Sequence, residues 1–233
     1  MKRYVVKLSG EALQGDKPSG HDPDILKRIA QEISDAASEG AQLAIVVGGG
    51  NIIRGARLAA EGGDRVAGDH MGMLGTLING VAIREALREV GARCTLLSGL
   101  PAPTICETYS QRAILDALDS GNIVVAAGGT GNPFFTTDSG AALRAAEVGA
   151  DAILKATQVD GVYDADPKTD PNAKKFDELT LDEALRRGLA IMDTAALALA
   201  RDHAIPIVVF SIHDAGALVR VASGKKEGTR VLP

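Results

Sequence analysis

The chain contains no tryptophan, and only 3% of its 233 residues are aromatic. Cysteine is almost as scarce: Cys94 and Cys106 stand alone, and neither belongs to a Cys-x-x-Cys pair. A disulfide framework is therefore excluded and a reducing cytoplasm is the expected setting. A basic surplus is missing too, since 25 Lys and Arg face 30 Asp and Glu for a net charge of −5. That balance disfavours nucleic acid as a partner, but not a small anion, which a few backbone amides and one or two lysines can hold. Nowhere do 18 apolar residues follow one another, and the short apolar stretch after Met1-Lys2-Arg3 is broken by Lys7. Neither a membrane helix nor a secretory signal is expected. The four histidines lack ligand spacing, which argues against a His/Cys metal site.

What the chain does have is apolar residues, 45% of the total, and 27 glycines, well above an average usage of roughly 7%. Short β-branched runs at 3–8, 42–47, 93–97, 123–127, 152–154 and 207–210 are nearly continuous in hydrophobicity, as parallel strands buried on both faces are. Helical patterns lie between them, at 24–39, 69–90, 110–118, 139–148, 194–202 and 215–222. Asp22-Pro23 supplies a cap and a first-turn proline for the first of these, and the capping-box spacing Thr180-Leu181-Asp182-Glu183 opens a further short helix ending near Gly188. The alternation predicts an α/β fold, a three-layer αβα sandwich with a mainly parallel central sheet and no linker dividing it. The stretch 158–177 contains Asp164-Ala165-Asp166-Pro167 and Asp170-Pro171 and is expected to be irregular.

The glycines and lysines cluster at strand ends, where open α/β sheets bind ligands. Lys7 interrupts the first apolar strand just before Leu8-Ser9-Gly10, and Lys155 does the same ahead of Ala156-Thr157. Two cations on one rim suit a polyphosphate. The second strand runs into Gly48-Gly49-Gly50-Asn51, whose successive amides form an anion cradle before an expected helix start, with Arg54 one turn on. The spacing fits neither Gly-x-Gly-x-x-Gly, because Ile53 stands where glycine is required, nor the P-loop pattern. Gly128-Gly129-Thr130-Gly131-Asn132-Pro133-Phe134-Phe135-Thr136-Thr137-Asp138 follows another strand, with two of the four phenylalanines in a polar loop able to shape a base or sugar pocket. Asp138 reads equally as a helix cap or a reacting-site carboxylate. Asp69, opening a long helix at Asp69-His70-Met71-Gly72-Met73, reads as a cap or a sugar ligand.

These segments, with Lys7-Leu8-Ser9-Gly10-Glu11-Ala12-Leu13, Arg54-Gly55, Val159-Asp160-Gly161-Val162-Tyr163 and Met192-Asp193, make the chain resemble the amino acid kinase family from end to end. Within that family, Asp-His-Met-Gly-Met and Gly-Asn-Pro-Phe-Phe-Thr-Thr-Asp resemble the bacterial enzymes that phosphorylate UMP. The resemblance implies Mg²⁺-dependent transfer of the ATP γ-phosphoryl group to UMP. It implies a single amino acid kinase domain, with residues 1–150 as a UMP-binding and oligomerisation lobe and 151–233 as an ATP-binding lobe. By it, Lys7, Arg54, Asp138 and Lys155 are catalytic. Lys7, Leu8, Ser9, Gly10, Gly50, Arg54, Thr157, Tyr163 and Asp166 bind ATP; Gly49, Asp69, Thr130, Gly131, Asn132, Pro133, Phe134, Phe135, Thr136 and Thr137 bind UMP. Mg²⁺ would ride on the nucleotide phosphates, not in a protein cage.

A homohexamer and nucleotide effectors, with UTP inhibitory, are implied as well. The segment Gly15-Asp16-Lys17-Pro18-Ser19-Gly20 lacks the aromatic that helps bind activating GTP in proteobacterial members, which argues against GTP activation here. Arg84 and Arg88 remain able to meet an effector anion. Two alternatives share the glycine loops: a sister kinase acting on a carboxylate or carbamate, and a non-catalytic nucleotide- or anion-binding module.

Overall fold

The computed structural model describes residues 2–54, 62–167 and 169–233. Among these, nine strands form one sheet in the order β4-β3-β5-β2-β1-β6-β8-β9-β7. The strands are β1 (Arg3–Leu8), β2 (Gln42–Val47), β3 (Cys94–Ser98), β4 (Glu107–Thr108), β5 (Ile123–Ala127), β6 (Ala152–Thr157), β7 (Glu178–Thr180), β8 (Ile207–Ser211) and β9 (Thr229–Leu232). Every pairing is parallel except β8 with β9. The six expected strands are present; β4, β7 and β9, of two to four residues, are too short to show a period.

Among the described residues, seven helices flank the sheet: α1 (Pro23–Ser38), α2 (Arg65–Glu89), α3 (Gln111–Asp119), α4 (Thr137–Val148), α5 (Leu181–Arg187), α6 (Thr194–Asp202) and α7 (Ala217–Ala222). A single 3₁₀ turn, Gly10–Leu13, follows β1. Alternate strand residues feed two cores. Tyr4, Val6, Leu8, Ile45 and Leu154 meet α1, α2 and α7 on one face. Val5, Val46, Ile153 and Val209 meet α3 to α6 on the other. The αβα sandwich expected from the alternation is therefore the fold.

Three local expectations are corrected. The long helix begins at Arg65, not Asp69, because Asp64 is its cap, its carboxylate accepting from the Ala67 amide. Thr136, not Asp138, caps α4 through its hydroxyl. No helix starts directly after Gly50: Ile52 and Ile53 donate to the Gly49 carbonyl in one turn that does not continue through Arg54, and Gly55 lies outside the described residues. His70 is exposed, whereas Met73 is buried in the core. Residues 158–177 carry only a single bridge, Tyr163 to Lys175, among those described.

Candidate active site

The site begins with the period of the strand. Lys7 lies two residues beyond Val5 and Lys155 two beyond Ile153, so both lysines leave the sheet on the face that carries α4. The two are register partners across β1 and β6. Chain direction does the rest, because β5 leads through a glycine loop into α4 and delivers its first turn above them. There the Asp138 carboxylate takes Lys7 Nζ at 2.8 Å on Oδ1 and Lys155 Nζ at 3.0 Å on Oδ2. Lys155 also donates to the Ile191 carbonyl.

All three side chains are largely buried. Burial pushes the Asp138 carboxyl up, but the ammonium groups of Lys7 and Lys155 outweigh it and hold the group below its ordinary value. Burial lowers Lys155, opposed by Asp138 and reinforced by Lys7. The triad holds one more positive charge than negative in a confined space, which favours an arriving anion. Ser9 Oγ, close in sequence to Lys7, is buried and has no hydrogen-bond partner among the described residues. An orphaned buried hydroxyl two residues past Lys7 fits a phosphate oxygen.

Two clefts open near this triad: Thr136 and Thr137, which immediately precede Asp138, line one, and Lys155 lines the other. The first, of about 390 Å³, is lined by Gly49, Gly50, Arg54, Asp69, Phe135, Thr136 and Thr137 among the expected residues. Gly50 and Arg54, expected with the ATP phosphates, thus open on the cleft expected for UMP. Arg54 is ion-paired to Glu11 at 3.3 Å and well exposed. Asp69 accepts both contacts of Arg65 Nε, at 2.9 and 2.8 Å, and the Phe134 amide at 2.7 Å. It therefore ties the phenylalanine loop to α2. Phe134 itself, at a φ of 72°, is turned outward and exposed. The lining does not include Thr130, Gly131, Asn132 and Pro133, which form the rest of that loop.

The second cleft, of about 530 Å³, is lined by Lys155, Thr157, Tyr163 and Asp166, as expected. Leu8 is fully buried in the core, so only its backbone can face a ligand. At Gly10 any β-carbon would collide with Asn51 Oδ1 and with the Gly48 carbonyl, which shows how closely the loops after β1 and β2 approach.

Several residues in or beside the site are not among those expected there. Leu189, Ala190 and Ile191 border the second cleft, and Ile191 acts through its backbone. Asp193 caps α6 while accepting from the Thr136 and Ser139 hydroxyls. Arg144, buried in α4, donates to the Gly129 carbonyl at 3.2 Å and lies over the Tyr109 ring. Arg65 was legible, since Arg65 and Asp69 have the four-residue spacing of a helical ion pair.

A parallel sheet with paired lysines at its carboxyl edge, a shared carboxylate and two clefts lined by the loops around them defines a class: α/β proteins built to hold phosphate-bearing ligands. Residues 2–211 match the model of the amino acid kinase family, and the chain belongs to that family. It is 56% identical over 230 residues to a uridylate kinase of Brucella anthropi, covering 99% of this chain and 96% of that one. The uridylate kinase of Rhizobium meliloti gives the same identity and coverage. Among solved structures, the UMP kinase of Bacillus anthracis superposes with a TM-score of 0.95 at 38% identity, covering 99% and 96% of the two chains. That of Ureaplasma parvum gives 0.93 at 37% identity, covering 100% and 99%.

Proposed function

We propose that the protein transfers the γ-phosphoryl group of ATP reversibly to UMP, giving ADP and UDP. The observation that carries this reading is the Lys7–Asp138–Lys155 triad, with Lys155 lining one cleft and Thr136 and Thr137, just before Asp138, lining another, each large enough to hold part of a nucleotide. The names of the relatives favour UMP over other acceptors, and the Phe134-Phe135 loop tied to Asp69 offers the contacts a nucleoside would need. UMP is placed in the first cleft, against Gly49, Asp69 and the loop from Thr130 to Thr137. ATP is placed in the second, against Thr157, Tyr163 and Asp166, so residues 1–150 and 151–233 act as the two nucleotide lobes.

In this reading the protein's work is positioning and charge stabilisation, the main requirements of phosphoryl transfer. The UMP phosphate is already an anionic nucleophile at neutral pH, so no general base is required. Lys7 and Lys155 hold the oxygens of the transferring group, and the Ser9 hydroxyl and Gly10 amide complete the floor. Arg54, with Gly50, reaches that group from the rim of the first cleft. Asp138 keeps the two ammonium groups in place while no phosphate is present. Both Asp138 oxygens are ion-paired to lysines, so Mg²⁺ would arrive on the nucleotide phosphates, where it would supply charge neutralisation.

The protein is placed in the cytoplasm, in keeping with two free cysteines. Among the described residues no helix is long and apolar enough to cross a membrane. Assembly as a homohexamer is supported by Leu74 and Ile78, which are 52% and 49% exposed one turn apart on α2. UTP is assigned as an inhibitor, and GTP activation is not expected.

The test is a coupled ADP-release assay with Mg-ATP and UMP, CMP, AMP, acetylglutamate or carbamate as acceptor. UMP-dependent release well above the others is expected. Release with a carboxylate or carbamate alone points to a sister kinase, and nucleotide binding without release points to a binding module.

A further inference from the structure

Asn79 is the one fully buried asparagine on the inner face of α2, one turn beyond Thr76. Its Nδ2 donates to the Gly48 carbonyl at 2.6 Å and to Asn51 Oδ1 at 2.7 Å. Its Oδ1 accepts from Asn51 Nδ2 at 3.2 Å and lies 2.6 Å from His21 Nε2, which must therefore carry its hydrogen. Asn51, also buried, in turn donates to the Gly20 carbonyl at 2.8 Å. Reversing the Asn79 amide would set an oxygen against the Gly48 carbonyl, so the network admits a single orientation.

The Gly48 carbonyl belongs to the same planar trans peptide as the Gly49 amide, and the two bonds point in opposite directions. The neighbouring peptide is anchored as well, because Gly48 N–H donates to the Leu8 carbonyl at 2.9 Å. Holding the carbonyl towards α2 therefore turns the Gly49 N–H away from the helix. That amide has no acceptor among the described residues, and Gly49 lines the first cleft. We infer that Asn79 is a positioning residue which aims the Gly49 amide at the phosphate of the acceptor nucleotide, with His21 and Asn51 locking it in place. This rests on the placement of UMP in the first cleft.

The substitution Asn79→Asp keeps size and both acceptor contacts but replaces the two donors with an oxygen facing the Gly48 carbonyl. It is expected to raise KM for UMP about tenfold, as the loss of one charge-assisted hydrogen bond does, while KM for ATP stays within about twofold. A purely structural role would lower the melting temperature and leave both constants of the folded enzyme unchanged; that result overturns the inference, as does an equal rise in both. If Asn79→Asp fails to fold, His21→Ala removes only the outermost contact at a partly buried position. Its KM for UMP should rise about threefold with KM for ATP unchanged, and no selective rise overturns the inference. Wild-type protein is assayed beside each variant. Absence of UMP-dependent turnover there would instead refute the placement of UMP.

Discussion

Lys7, Asp138 and Lys155 are interdependent: a carboxylate between two buried ammonium groups is stable only while both remain. Lys7→Ala should lower kcat about 10³-fold, the scale of losing one charge-stabilising donor at a reacting centre, with the fold retained by circular dichroism. Near-normal turnover would remove Lys7 from the mechanism. Asp138→Asn leaves two buried lysines uncompensated and should cost about 3 kcal/mol at neutral pH. The pH dependence has a definite sign. Because the folded carboxyl lies below its ordinary value of 3.8, its stabilisation is complete above that value and fades as pH falls through the lower folded one. Urea midpoints of wild type and variant should therefore converge in strong acid, and a gap independent of pH would contradict the assignment. Asp69→Ala removes the tie to Arg65 and to the Phe134 amide, and should raise KM for UMP about tenfold with little change for ATP. A selective effect on ATP would reverse the two clefts.

At the level of elements, α2 sets the shape of the first cleft. A β-carbon at Gly49 would stand 2.6 Å from the Gly72 carbonyl and 2.9 Å from the Thr76 amide, both in its backbone. Gly49→Ala should thus force the loop off the helix, costing about 1–3 kcal/mol and showing as a lower melting temperature. An unchanged melting point would mean that the helix yields freely. The sequence made the glycine at 49 visible but suggested phosphate contact as its cause, whereas packing against α2 is an equal demand. Lys7 and Lys155 were legible for a plain reason, since a lysine has no place in a doubly buried strand without a partner. Asn79 was not legible, because an asparagine in a 25-residue helix looks like any polar surface position until the β2 loop is known to lie against it. Asp64, not Asp69, caps α2, and Asp69 instead pairs with Arg65 one turn earlier inside the helix. Strands β7 and β9 depend on partners distant in sequence, so no local pattern announces them.

For the molecule as a whole, the exposed pair Leu74 and Ile78 belongs to the same helix that lines the first cleft, so in the proposed hexamer self-association and acceptor binding would share a scaffold. If the proposed hexamer forms, replacing both with glutamate should reduce the mass measured by sedimentation to that of a smaller species, and an unchanged mass would place the contact elsewhere. The central sheet supplies the remaining constraint. Lys7 and Lys155 face one another because β1 and β6 are paired residue for residue, and a slip by one position would swing Lys155 into the opposite core. The separation of the two cations is thus a property of the backbone ladder and not of any loop. In the proposed function, insertions or exchanges in the surrounding loops would retune which nucleotide is admitted, while the lysine spacing that would receive the phosphate stays the same.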